Sequence, residues 1–228
     1  MKIIEVEGII VKDTNYSESS KIINIYTKQL GIIGVIAKGA RNMKSKLRAA
    51  SNKLVYGKFN IYYKEKGLST LISVDVIDSF KNIILDIKKI SYACYLLDLT
   101  NQVATQVEDN LFSLLLMSLI KINDNFDPQV ISNILEIKYL EYLGVKPEID
   151  SCSVCGNKNN IITISGHAGG YICRNCYTNE YIVSDKCIKL IRLFYYVDIS
   201  KITKLKISEN TKKELNTFIN DYYDQYTG

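Results

Sequence analysis

Residues 152–176 read CSVCGNKNNIITISGHAGGYICRNC and contain two Cys-x-x-Cys pairs with 17 residues between them. A spacing of two residues lets one tight turn aim both thiolates of a pair at one point. Gly156 suits such a turn because glycine reaches positive φ without strain. Zn²⁺ is bound by about four soft ligands in a tetrahedron. The pattern therefore predicts one zinc knuckle, whose ligands are Cys152, Cys155, Cys173 and Cys176.

Four sulfur ligands indicate a structural metal rather than a catalytic one. A catalytic zinc keeps one coordination position open for water, whereas four cysteines close the coordination shell. The one histidine of the chain, His167, lies between the pairs and is interpreted as an exposed loop residue. Two unrelated thiol pairs, two disulfides and a Cys-x-x-Cys redox centre are the alternatives.

The composition is that of a globular chain. Its 228 residues are 47% apolar and 23% charged, an ordinary globular balance. The longest apolar stretch, residues 111–120, is too short to cross a bilayer, which takes about 20 residues. We expect no membrane partner, and the cysteine usage suits a reducing cytoplasm. We also expect no enzymatic activity, because a metal-dependent nuclease or hydrolase needs clustered carboxylates spaced for hard cations, whereas residues 19–64 hold no acidic residue.

Charge is distributed unevenly along the chain. The net charge is +5, but ten basic residues and no acidic one lie between Ser19 and Lys64. Residues 91–150, in contrast, hold 3 basic against 9 acidic residues. A long segment of one sign attracts polyanions, and nucleic acid is the commonest polyanion in a cell. The first third of the chain is therefore predicted to bind nucleic acid.

The hydrophobic pattern predicts an α+β chain, in which a five-stranded OB-fold barrel precedes a helical domain that carries the zinc knuckle. Apolar and β-branched runs between turn residues predict strands at 3–12, 20–27, 31–38, 54–64 and 68–78. Helical spacing of apolar residues predicts helices at 87–106, 110–123, 128–143, 184–197 and 208–225. We expect an OB-fold domain at 1–80 and a helical domain at 81–228, with the knuckle at 150–180.

Candidate nucleic-acid contacts lie on the strands and on the insert between the third and fourth strands. Strand periodicity places Tyr56, Lys58 and Tyr62 on one face of the fourth strand, and Tyr26 beside Lys28 on the second. Bases stack on rings while ammonium groups contact phosphates, although the same tyrosines would also suit a domain interface. The insert adds cations that hold phosphates without reading sequence, namely Lys38, Arg41, Lys44, Lys46 and Arg48.

Three stretches resemble one known family. They are residues 31–48, which include Lys38-Gly39-Ala40-Arg41, the segment YLEYLGVKP at 139–147, and the two cysteine pairs. In this order, along nearly the whole chain, they resemble the bacterial recombination mediator family RecO. The resemblance implies an N-terminal OB-fold, DNA contacts at Lys38 and Arg41, and zinc ligation by the four cysteines.

The resemblance also implies a function and partners. RecO proteins bind single- and double-stranded DNA, anneal complementary strands, and act in the cytoplasm at the nucleoid. The implied partners are RecR and the acidic, hydrophobic-ended C-terminal tail of single-strand-binding protein (SSB), with RecA loaded onto SSB-coated strands. We expect the tail to bind an apolar surface within residues 87–143. A zinc-ribbon RNA-binding protein of the transcription or translation machinery is the alternative, because charge does not separate RNA from DNA.

Overall fold

The computed structural model of the protein describes residues 2–104 and 108–227. The chain forms two compact units, Met1–Asp124 and Asn125–Gly228. Strands dominate the start of the first unit and helices dominate the second, so the predicted α+β class is confirmed. The predicted domain division at residues 80 and 81 falls inside the first unit and stays a prediction.

A closed barrel forms the start of the first unit. Its strands follow the order β1-β2-β3-β5-β4, and every neighbouring pair is antiparallel except β3 and β5, which pair in parallel. This five-stranded closed sheet confirms the predicted OB-fold barrel. Its strands are β1 (Lys2–Tyr16), β2 (Ser20–Thr27), β3 (Gly31–Ala37), β4 (Tyr56–Tyr63) and β5 (Ser69–Asp78).

Alternate residues of these strands fill the barrel interior. Ile23, Ile25, Phe59 and Ile61 are each 0% exposed and belong to one buried cluster. β-branched and aromatic side chains favour strands because they pack well on a pleated, half-buried surface. The residues between them on β4 therefore point away from the interior, as the sequence pattern predicts.

β1 is longer than the sequence pattern predicts. The sequence pattern predicts that the first strand ends at residue 12, and this boundary is wrong because β1 stays paired with β2 until Tyr16 lies opposite Ser20. A shift in register between Ile10 and Lys12 lets the strand bend without ending. The chain reverses only at residues 17–19.

Helices complete the first unit. They are α1 (Leu47–Ala50), α2 (Lys81–Ile84), α3 (Ile87–Val103) and α4 (Asp109–Asn123). The carboxylate of Asp86 caps α3 by accepting hydrogen bonds from two backbone N–H groups. The predicted end of this helix at Gln106 lies outside the described residues. α1 and α2 are single turns, too short to show a helical period in sequence.

The second unit packs three helices with a small sheet. Its elements are α5 (Pro128–Tyr142), β6 (Glu148–Cys152), β7 (Ile161–Ser165), β8 (Gly170–Cys173), α6 (Asp185–Tyr196) and α7 (Glu209–Tyr226). Asp127, Ser184 and Ser208 cap the three helices with their side chains, which explains why sequence signals located the helix starts closely. α5 contacts both α6 and α7 and is buried along most of its length. None of the helices in the described part of the chain is long and apolar enough to cross a membrane.

Candidate metal centre and nucleic-acid interface

Four cysteines meet at the ends of two neighbouring strands. β6 ends at Cys152 and β8 ends at Cys173, and these strands lie side by side in a sheet of order β6-β8-β7. The four sulfur atoms all lie within 4.8 Å of one another, and those of Cys155 and Cys173 are 3.7 Å apart. A tetrahedron with Zn–S distances near 2.3 Å has sulfur–sulfur edges of about 3.8 Å. The predicted residues are therefore close enough together to bind one metal ion.

Both Cys-x-x-Cys segments form tight turns. The Gly156 N–H donates to the Cys152 carbonyl at 2.8 Å, and the Cys176 N–H donates to the Cys173 carbonyl at 3.1 Å. Gly156 has φ of 73°, a conformation that glycine adopts without strain. The residues between the two pairs form an antiparallel hairpin of β7 and β8, and β8 ends at Cys173.

Backbone N–H groups favour the thiolate form of Cys152. Burial alone would raise the pKa of this thiol, but N–H donors from Cys173, Cys155 and Val154 lower it to about 6. One of these donors, the Cys173 N–H, lies 3.4 Å from the Cys152 sulfur. The pKa of the Cys176 thiol is raised to about 12, mainly by a hydrogen bond with Cys155 and to a smaller extent by burial. A metal ion would supply the positive charge needed to ionise all four thiols together.

The cysteine cluster lies partly in the interior and partly at the surface of the second unit. Cys152 and Cys173 are each 1% exposed, whereas Cys155 is exposed and Cys176 is half-buried, so an ion bound to all four would be shielded from water on the side of the sheet. All six cysteines of the chain are free thiols, which contradicts the disulfide alternative. Among the side chains that the structure describes, no other group of three or more potential ligands converges. His167 is exposed, as predicted, and lies outside the cluster.

The segment of residues 38–48, here called the basic loop, follows β3. Its predicted contact residues are all exposed, and none of them takes part in the ion pairs found among the described side chains. The loop thus presents unneutralised positive charge to solvent, as the acid-free sequence predicts. These residues are Lys38, Arg41, Lys44, Lys46 and Arg48.

Part of the basic loop and the β1–β2 hairpin enclose a cleft of about 670 Å³. Arg41, Lys46 and Arg48 line the cleft on the loop side, and Lys21 and Asn52 contribute further polar groups. The Lys21 ammonium is fixed in place by Asp13 at 2.8 Å and by the Asn52 side-chain oxygen at 2.7 Å. Lys21 was not among the predicted contacts, although its place in the acid-free run was an available signal. Cations and amides around a concave surface suit phosphate groups.

The outward face of β4 lies beside acidic residues that the sequence pattern does not predict there. Lys58 lies 3.7 Å from the carboxylate of Glu5, and the Tyr56 hydroxyl donates to Glu7 at 2.5 Å. Burial and this hydrogen bond raise the pKa of Tyr56 to about 12. Both acids belong to β1, which pairs with β4 along its length. Tyr62 is 42% exposed, but the face as a whole carries both signs of charge and attracts phosphate less than the basic loop does.

Tyr26 is not available to a nucleic-acid base. Its side chain is 1% exposed, and its ring meets the ring of Phe112 edge-on with the centroids 5.5 Å apart. The alternation of β2 correctly places Tyr26 on the outer face of the barrel, but α4 covers that face. The prediction that Tyr26 contacts DNA is therefore wrong.

Models of known protein families match both the barrel and the helical part of the chain. The model of the family described as “Recombination protein O N terminal” matches residues 1–80, and that of “Recombination protein O C terminal” matches residues 84–228. The chain belongs to the RecO family. A role in DNA repair and recombination follows from this membership.

Three relatives illustrate the similarity to other members of the RecO family. The chain is 36% identical to the DNA repair protein RecO of Bacillus pumilus, over 99% of this chain and 90% of the relative. It is 34% identical to the proteins of the same name from Halalkalibacterium halodurans and Listeria innocua, over 97% of this chain and 89% of each relative. The similarity thus includes both the barrel and the cysteine cluster.

Proposed function

We propose that this protein is a noncatalytic recombination mediator that binds single- and double-stranded DNA through the basic loop and anneals complementary strands. The observation that carries the proposal is the cleft between the basic loop and the β1–β2 hairpin, where Arg41, Lys46 and Arg48 have no ion-pair partner among the described side chains. Membership of the RecO family supports DNA, rather than RNA, as the polymer bound.

Strand annealing follows from phosphate binding. Two complementary strands repel each other through their phosphates, and cations that bind phosphates release counterions and reduce this repulsion. Contacts to phosphate position a strand without reading its sequence, so the base edges stay free to pair. The protein in this way helps load RecA onto DNA that SSB has coated, in the cytoplasm at the nucleoid and together with RecR.

The metal in this proposal is one structural Zn²⁺ ion held by the four cysteines. The sulfur spacing and the backbone donors to Cys152 support this assignment. The ion would join the turn after β6 to the turn after β8, and four sulfur ligands leave no open position for a reacting water. The metal therefore stabilises the fold and takes no part in chemistry.

The surface for the SSB tail is proposed at the junction of α2 and α3. Most apolar residues of α3 and α4 are buried, but Leu85 and Ile87 are each 84% exposed and Ile84 is 48% exposed. Lys81 and Lys88 are exposed beside them. Apolar side chains edged by cations match a peptide that is acidic and ends in hydrophobic residues. Only Ile87 and Lys88 of this surface belong to the region 87–143 predicted from sequence, and its other residues directly precede that region.

An annealing assay with complementary oligonucleotides tests the main proposal. The wild type should accelerate annealing, and joint charge reversal of Lys38→Glu and Arg41→Glu should weaken DNA binding for all sequences alike. Reversal of the exposed α6 residues Lys186 and Lys189 is the matched control. A wild type that neither binds nor anneals DNA would contradict the proposal, and RNA that competes better than DNA would favour the RNA-binding alternative.

Titration with an SSB-tail peptide tests the partner surface. Leu85→Ser with Ile87→Ser should reduce peptide binding, whereas Leu193→Ser, a 45% exposed residue of α6, should not. Full peptide affinity in the double variant would place the tail elsewhere on the protein.

A further inference from the structure

One apolar side chain projects into solvent from the middle of the basic loop. Met43 is 85% exposed, although the apolar residues on either side of it are turned inward. Ala40 is 0% exposed, and Leu47 packs against the barrel core. The loop is therefore fastened at two points, and the apolar residue between them faces away from the protein.

The loop backbone holds Met43 in this position. Successive turns form because the Asn42 N–H donates to the Gly39 carbonyl at 3.1 Å and the Ser45 N–H donates to the Asn42 carbonyl at 3.0 Å. The loop is also joined to the β1–β2 hairpin, since the Arg41 N–H donates to the Ser19 carbonyl at 2.8 Å. An ordered backbone lets the side chain act at a defined place.

The neighbours of Met43 are the cations proposed to hold DNA. Arg41 precedes Met43 by two residues, Lys44 follows it directly, and Lys46 follows Met43 by three residues. A strand bound by its phosphates at these cations would have its bases close to Met43. Single exposed apolar residues are common on proteins, so its position among these cations, rather than its exposure alone, suggests a role.

Methionine suits contact with bases. Its side chain is unbranched and flexible, and its polarizable sulfur packs favourably against aromatic rings. Several DNA-binding proteins insert apolar side chains, methionine among them, between neighbouring bases and partly unstack them. The cations beside such a wedge hold the flanking phosphates and offset part of the unstacking cost.

We propose that Met43 is a wedge that inserts between adjacent bases of a DNA strand held by the basic loop. This inference rests on the proposed DNA binding and adds what happens to the bound strand, whose bases are unstacked and presented for pairing. The cations then determine how many phosphates are held, and Met43 determines whether the bases stay stacked.

The test uses the full-length protein and a single-stranded adenine tract that contains one 2-aminopurine, whose fluorescence is quenched while it is stacked. The wild type should raise the fluorescence on binding, and Met43→Ala should abolish most of the rise. Affinity should fall about fivefold, the low end of the loss seen when a base-stacking side chain is truncated. The salt dependence of binding should stay at its wild-type value, because no phosphate contact is lost.

Two variants serve as controls for this test. Met43→Leu keeps an apolar wedge and should retain the fluorescence rise, whereas Ile182→Ala removes another exposed apolar side chain, 55% exposed, and should change nothing. A wild-type rise in the Met43→Ala complex would refute the wedge, as would binding by the wild type without any rise. A changed salt dependence in Met43→Ala would also refute it, because the loop itself would then have altered. If the wild type fails to bind DNA at all, the proposed function fails instead.

Discussion

Removal of two cleft cations should weaken DNA binding in a way that depends on salt. Lys46→Ala and Arg48→Ala together remove two exposed residues that line the cleft. Each phosphate neutralised on a single strand adds about 0.7 to the slope of log K against log salt, so the double variant should lose about 1.4 from that slope. If the variant and the wild type bind equally at about 1 M salt, this change of slope corresponds to an affinity loss of about 14-fold at about 0.15 M salt.

Duplex DNA should respond more strongly than a single strand. The slope per phosphate is about 0.9 for duplex, so the same variant should lose about 1.8 in slope and about 30-fold in affinity at about 0.15 M salt. The loss should be the same for unrelated sequences, because phosphate contacts carry no sequence information.

Fluorescence anisotropy of labelled oligonucleotides over a series of salt concentrations measures both quantities. Lys186→Ala with Lys189→Ala removes the same charge from the exposed surface of α6 and should leave slope and affinity unchanged. A wild-type slope in the Lys46→Ala and Arg48→Ala protein would refute the assignment of phosphates to this cleft. The lysines that we would then test are Lys201, Lys204 and Lys206.

Two further predictions concern stability. Cys152→Ser should reduce bound zinc from about one ion per chain to near zero and unfold the cysteine cluster, as metal analysis and limited proteolysis would show; a zinc-free wild type would contradict the site. Lys212→Met should lower the free energy of unfolding, measured by urea titration, by about 2 kcal/mol. This loss is smaller than that for breaking a fully buried ion pair, because the carboxylates that contact Lys212 are partly solvated. The Lys212 side chain is 7% exposed, and its ammonium lies 2.5 Å from the Asp127 carboxylate and 2.7 Å from that of Glu209. Lys213→Met, at an exposed position, should change little. Hydrogen bonds to these carboxylates raise the pKa of Lys212 above 10.5. The difference in free energy of unfolding between wild type and Lys212→Met should therefore have its full size below pH 10.5, and it should shrink as pH rises through the raised pKa.

Local patterns in the sequence determined much of this protein. The spacing of the cysteine pairs identified all four residues of the cluster, because each Cys-x-x-Cys turn needs only its own few residues to form. Helix starts are set just as locally, since caps such as Asp127 and Ser184 bond to backbone groups within one turn. The acid-free run identified the basic loop, whose cations are exposed in the structure.

Only the tertiary structure decided what lies against each strand face. Alternation along a strand shows which residues share a face, but the groups on neighbouring elements come from distant parts of the chain. Tyr26 is therefore buried under Phe112 of α4, and Lys58 lies beside Glu5 of β1. Side-by-side pairing of β6 and β8 likewise brought Cys152 to Cys173. Burial and charge at a strand surface depend on such long-range packing, which no local sequence period encodes.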